Sequence, residues 1–123
     1  MRFPQAEESK EPRAYRCTTI GDLANDANLG AILPVKVVMY IEKPTEVPMS
    51  FLVVDSKQCY AIVSFYNTNR TLKDNLQSGD LLHIKNPSLI FTSIDFKNRS
   101  YSYNCVKIPE IMDVLVNGQP LTD

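Results

Sequence analysis

The sequence predicts an all-β domain: a five-stranded Greek-key barrel with a short helical segment between strands 3 and 4. Three observations carry this. Runs rich in β-branched and aromatic residues recur between Ala31 and Ile108, each bounded by turn residues. The one long polar break, Asn67 to Ser78, carries leucines at i and i+4, at positions 72 and 76. The length of 123 residues and the apolar fraction of 44% allow one small buried core.

The elements follow in order. Residues 1–17 are polar and charged, with Pro4 and Pro12, and are expected to form a flexible linker or tail. Residues 18–123 are expected to form the domain with a C-terminal extension. In "TTIGDLANDANLG", Thr19 is placed to cap a short turn carrying Ile20 and Leu23. Ala31 to Ile41 is a long first strand, with Pro34 confined to its start or an edge. "EKPTEVP" is a loop. Met49 to Asp55 and Gln58 to Tyr66 form a hairpin across a tight Ser56-Lys57 turn. One or two helical turns then bury Leu72 and Leu76.

The fourth strand lies in "SGDLLHIKNPSL". Gly79 supplies the positive φ that leaves the helical segment, and Asp80 bonds nearby amides. Pro87 ends or kinks the strand, so Ser88 to Phe96 continues or restarts it. Lys97-Asn98-Arg99 is a turn, and Ser100 to Ile108 is the fifth strand. Five strands with a short helix between the third and fourth is the pattern of the OB-fold. A β-sandwich wants about seven strands.

Several function classes are excluded or disfavoured. No apolar run approaches the ~20 residues that cross a bilayer, so no membrane partner is expected. The opening stretch has no apolar core, so no signal peptide is expected. Cys17, Cys59 and Cys105 are odd in number and contain no CxxC, which predicts reduced thiols. Cys59 and Cys105 fall in predicted strands and are expected to be buried. Without a secretion signal, the triplets at Asn69 and Asn98 are expected to stay unglycosylated. His83, the single histidine, is expected to be a half-exposed strand residue. No nucleophile motif, metal-ligand spacing or phosphate-cradling loop occurs, so the chain is read as no enzyme, with no cofactor and no metal.

The net charge of −1 hides an asymmetry. Residues 31–108 carry nine Lys/Arg against six Asp/Glu, and the flanks carry four against eight. The barrel is mildly basic and the ends are acidic. That balance permits contact with a phosphate backbone without demanding it.

OB-folds bind ligands on the outer face of strands 2 and 3, framed by loops. Strand alternation puts Tyr60, Ser64 and Tyr66 on one face of strand 3, opposite Ala61, Val63 and Phe65. Tyr101 and Tyr103 share a face of strand 5 with Lys107. With Lys43, Arg70, Lys97 and Arg99 on surrounding loops, these tyrosines form a candidate ligand face able to stack bases and hold phosphates. The bland reading is that tyrosines are good strand residues and the charges solvate loops. The tail "IMDVLVNGQPL" offers Ile111, Val114, Leu115 and Val116 either as a cover for the barrel's own end or as a docking segment.

"KVVMYIEKPTEVPMSFLVVDSKQCYAIVSFYN", "GDLLHIKNPSL", "YSYNCVKI" and "VLVNGQP" resemble the C-terminal OB-fold domain of the tetratricopeptide repeat protein five family. The family are stress-responsive activators of a histone acetyltransferase coactivator. The resemblance runs from roughly Thr18 to Pro120. Its most specific pieces are "VP-x-x-F-x-x-VDS", "CYA", "YN" and "VNG-x-P". It implies an adaptor with protein partners: tetratricopeptide repeats in cis, and coactivator or ribosome-associated proteins. It implies a nuclear role as a transcription cofactor and a cytoplasmic role in recognising nascent tubulin and triggering decay of tubulin messages. The family's peptide groove belongs to its repeats, and no helical repeat occurs in this chain, so that property is not carried over. The acidic start fits the stub of a linker after a repeat array. The leading reading is a protein-interaction module; the alternative is a weak single-stranded DNA or RNA binder.

Overall fold

A computed structural model describes residues 14–42, 48–66 and 72–121; the side chains of residues 73, 93–96 and 101 lie outside that description. Ten strands form one sheet: β1 (Arg16–Cys17), β2 (Asp26–Ala27), β3 (Ala31–Ile41), β4 (Met49–Val54), β5 (Tyr60–Phe65), β6 (Leu81–Lys85), β7 (Ser88–Phe96), β8 (Arg99–Ile108), β9 (Val114–Val116) and β10 (Gln119–Pro120). Among the described residues a helical turn, α1 (Leu72–Asn75), lies between β5 and β6, and both of the expected leucines, Leu72 and Leu76, are buried.

The sheet order is β10-β9-β6-β3-β4-β5-β8-β7-β2. β5 and β8 run parallel, while β3–β4, β4–β5, β3–β6 and β7–β8 run antiparallel. The expected fourth strand is therefore two strands. β6 pairs with β3, and β7 pairs with β8, on opposite sides of the sheet. The chain between them, Asn86–Pro87, closes the five-stranded barrel covalently. Asn86 takes a positive φ of 51° and its amide makes the last bond of the β3–β6 ladder, to the Ala31 carbonyl at 2.8 Å; Pro87 withholds an N–H, so the chain changes partners here.

The flanks of this kink are tied down by side-chain amides. Asn86 Oδ1 accepts from the Gly30 amide at 2.9 Å. Asn28 Nδ2 donates to the carbonyl of Pro87 at 3.0 Å and to that of Ala24 at 3.0 Å. At the other end of β6, Gly79 sits at φ 95° and donates to the Val37 carbonyl. Asp80 accepts from the Gln77 amide and from Asn117 Nδ2.

Inward residues of β3 to β8 fill the core: Leu33, Val35, Val37, Met49, Phe51, Val53, Ala61, Val63, Phe65, Leu82, Ile84, Val106 and Ile108. Phe51 packs edge-on against Tyr40 at 5.3 Å and Phe65 at 5.8 Å between ring centroids. The register of β3 on β4 slips between Val37 and Met39. This bulge turns Met39 outward and Tyr40 toward Phe51, reversing what simple alternation from Val37 gives.

Three expectations are corrected here, and the alternative left open for the tail is decided in favour of a cover for the barrel's own end. The tail boundary at residue 17 lies inside a ladder, because Arg16 and Cys17 pair in parallel with β3. Thr19 stands at the N-cap of the 3₁₀ turn Ile20–Asp22, but its hydroxyl bonds the Asp22 carboxylate instead of a backbone amide. Cys59 is exposed, because it precedes β5 in the turn. The docking tail is not a free segment. Val114 is a fully buried core residue, and β9 adds to β6 through Ile84↔Val114, His83↔Leu115 and Leu82↔Val116. Ile111 and Val116 pack against the core as well. The Asn117–Gly118 turn fastens this strand, with Asn117 Oδ1 accepting from the Leu81 amide at 2.9 Å. Val114→Ala is accordingly expected to cost about 2 kcal/mol and Leu115→Ala less than about 1 kcal/mol, read from urea midpoints.

Candidate interaction face

The outward residues of β4 and β5 form the face on which OB-folds take ligands, and those of β3 and β8 flank it. Register places them in rows across the strands. Met39, Leu52, Ile62, Cys105 and Ile90 are successive partners from β3 to β7. Met39 is exposed, Leu52, Ile62 and Ile90 are half-buried, and Cys105 is buried. An uncharged apolar row thus crosses five strands on the outer face.

Beside it runs a second row: Ile41, Ser50, Ser64 and Lys107. Ser64 is 3% exposed, which removes it from the candidate ligand face. Its hydroxyl lies 3.0 Å from that of Ser50 and accepts from the Cys105 thiol at 3.4 Å. The serines satisfy one another under the surface, and none reaches a ligand.

The tyrosines are separated. Tyr60 and Tyr66 are both exposed, but they stand at opposite ends of β5, about 20 Å apart along the strand. Tyr60 falls level with half-buried Tyr103 when the β5–β8 register is continued. Tyr66 instead sits at the Lys107 end, with the Lys107 ammonium 5.1 Å above its ring centroid. Burial pushes the Tyr66 phenol above its ordinary pKa, with the Cys105 thiol and Tyr103 adding to the rise. Lys97 and Arg99 are exposed at the far tip of the β7–β8 hairpin. Lys43 and Arg70 lie outside the described residues, as does the side chain of Tyr101. Of the three candidate tyrosines described, Tyr60 and Tyr66 therefore mark the two ends of the face, and Tyr103 is level with Tyr60 in register yet within electrostatic reach of Tyr66.

The rest of the chemistry is structural. Asp55 is buried at the end of β4. Its Oδ2 accepts from the Ile20 amide at 2.8 Å, and its Oδ1 accepts from the Lys57 and Cys59 amides at 2.9 Å each. Burial alone would raise its pKa; the amides of Cys59, Ile20 and Lys57, helped by the Lys57 ammonium, outweigh it and hold the carboxyl below its ordinary value. His83 is half-buried between Pro34 and Leu115, as its strand position implies, and its Nδ1 has no hydrogen-bond partner. No three His, Cys, Asp or Glu side chains converge as metal ligands among the described residues. No helix among them is long and apolar enough to cross a membrane.

Sequence reading missed Met39, Leu52, Ile62 and Ile90 as surface residues. Apolar β-strand residues read as core, and only the bulge and the barrel's closure show which side each one faces.

The family model described as the tetratricopeptide repeat protein 5 OB fold domain matches residues 14–123. The chain belongs to this family. Tetratricopeptide repeat protein 5 of Bos taurus is 32% identical over 94 residues, which cover 76% of this chain and 21% of that protein. The human protein of the same name is 30% identical over 102 residues, covering 82% of this chain and 22% of that protein. The chain therefore spans about a fifth of the length of the curated relatives it matches. The solution structure of an OB domain from Methanosarcina mazei matches with a TM-score of 0.55 at 14% identity, over 86% of this chain and 87% of that one. It shares the fold. The family's specific motif residues turn out to be builders of this OB domain: Phe51 centres the core, Asp55 clamps three amides, and Asn117–Gly118 fastens β9.

Proposed function

We propose that this OB-fold module is a non-enzymatic docking domain of a tetratricopeptide-repeat adaptor, and that the outer face of β3, β4, β5, β8 and β7 receives an apolar protein surface. The observation that carries this is the row Met39, Leu52, Ile62, Cys105 and Ile90. No charge interrupts it, and a surface of this kind gains by leaving water. The family supports an adaptor role in the stress response, in coactivator assembly and in decay of tubulin messages, in nucleus and cytoplasm.

The second reading, single-stranded nucleic acid, rests on Tyr60, Tyr66 and Tyr103 with Lys107. It is the weaker one. Consecutive bases need neighbouring platforms, whereas Tyr60 and Tyr66 are a whole strand apart and Lys107 covers one face of the Tyr66 ring. Fluorescence anisotropy with labelled single-stranded DNA and RNA separates the two. No binding is expected even at low salt. Micromolar binding that collapses with salt and is lost in Tyr60→Ala and Tyr66→Ala overturns the docking reading. In co-precipitation from nuclear and ribosomal fractions, Leu52→Asp is expected to lose partners that the wild-type domain retains.

A further inference from the structure

Beyond the barrel, β7 and β8 continue as a two-stranded ribbon. β8 pairs with β5 only over Cys105–Ile108, and β7 pairs with β2 only at Ser88 and Leu89. The outer edge of β7 can be read from its hydrogen bonds. The Pro87 carbonyl accepts from the Asn28 amide on that side. Antiparallel ladders alternate, so the N–H and C=O of Phe91, Ser93 and Asp95 point to the same edge. β2 covers the edge at 88–89 and stops; the turn at Lys97 and Asn98, both with positive φ, takes the chain away beyond Phe96. On this outer side, the stretch between, residues 90–96, has no described strand beside it.

Several of the devices that normally blunt an edge do not occur on this one: residues 90–96 carry no proline and no bulge, and Asp95 is their single charge. Phe91 stands 69% exposed on it.

We propose that a second copy of this chain pairs antiparallel along this edge, about a two-fold axis at Ser93. The register is self-complementary. An axis at Ser93 sets Phe91 opposite Asp95 of the second copy, Ser93 opposite Ser93, and Asp95 opposite Phe91. All three positions direct their backbone groups outward, so each pair can form closely spaced hydrogen bonds. The same axis sets position 90 opposite position 96 and position 92 opposite position 94. The ends also match. Each strand leaves the edge where β2 of the other copy begins, which brings exposed Lys97 beside exposed Asp26 of that copy. Opposite charges meet at both ends. The result is a four-stranded antiparallel ribbon in place of two, and a two-stranded ribbon is marginal in water by itself. The contact is small, so the association is expected to be weak.

The test uses the chain as it stands. Sedimentation velocity over a concentration series is expected to show monomer giving way to dimer at high micromolar concentration. Ser93→Pro removes an outward N–H without touching the β7–β8 ladder, and it is expected to abolish the dimer while leaving the circular dichroism unchanged. Amide exchange on the wild-type chain gives an independent readout. Phe91, Ser93 and Asp95 are expected to exchange more slowly as concentration rises, whereas Thr92, already bonded within the ribbon, is not. Monomer at every concentration, a dimer indifferent to Ser93→Pro, or concentration-dependent protection elsewhere overturns the proposal.

Discussion

Replacing Asp55 by alanine is expected to be the most damaging polar substitution in this domain. Its carboxylate accepts from the amides of Ile20, Lys57 and Cys59, and it is buried. Alanine strands three backbone donors at the junction of the β4–β5 turn and the N-terminal 3₁₀ segment. Each unpaired donor costs about 1–3 kcal/mol, so the loss is expected to be at least about 3 kcal/mol. That is a large part of a typical domain stability of about 5–15 kcal/mol. Asp55→Asn should lose less, because one oxygen still serves two amides while the NH2 group opposes the third. Urea denaturation of the three proteins checks the order.

The same site predicts a pH dependence. The folded carboxyl titrates below its ordinary value, so the ionised form binds its amides best. Its contribution is fully present above the unfolded pKa and fades as pH falls through the lower folded value, a window below about pH 4. Wild type should therefore lose stability more steeply than Asp55→Asn on acidification. Equal slopes would show that another carboxylate carries the acid sensitivity.

Phe51→Ala is expected to have the largest effect of any apolar truncation, about 4 kcal/mol. Phe51 is fully buried and meets Tyr40 and Phe65 edge-on. The cavity would open between β3, β4 and β5, beneath the candidate face. Phe51→Leu keeps part of the volume and should cost about half as much. Leu52, one residue away, points outward. Leu52→Asp is expected to leave thermal unfolding close to wild type while abolishing docking. A Leu52→Asp protein that unfolds would place this residue in the core and remove the argument for the face.

The specific sequence motifs reported the fold and not the site. "VDS" places an acceptor where a turn and an N-terminal segment need one. "VNG-x-P" builds the turn that folds β10 back on β9. "GD" and "NP" around β6 are where the chain enters and leaves a strand that closes the barrel. Each is a local necessity of the architecture, so each is visible in sequence. The candidate tyrosines had no such necessity. Tyr60, Ser64 and Tyr66 share a face by alternation, yet Ser64 is buried and hydrogen-bonded to Ser50 and Cys105, which are distant in sequence.

The sequence by itself determined the all-β class, the five runs, the helical turn over Leu72 and Leu76, the kink at Asn86–Pro87 and membership of the family. These follow from local preferences: alternation, β-branching, and residues that break or cap. Only the tertiary structure decided that the kink splits one strand between two partners, that Val114 is core, that Met39 faces out, and that no described strand covers the outer edge of β7 beyond Leu89. Those depend on which strands lie side by side. A bulge of one residue or the pairing of a three-residue tail strand is decided by contacts across the sheet, which no local pattern specifies.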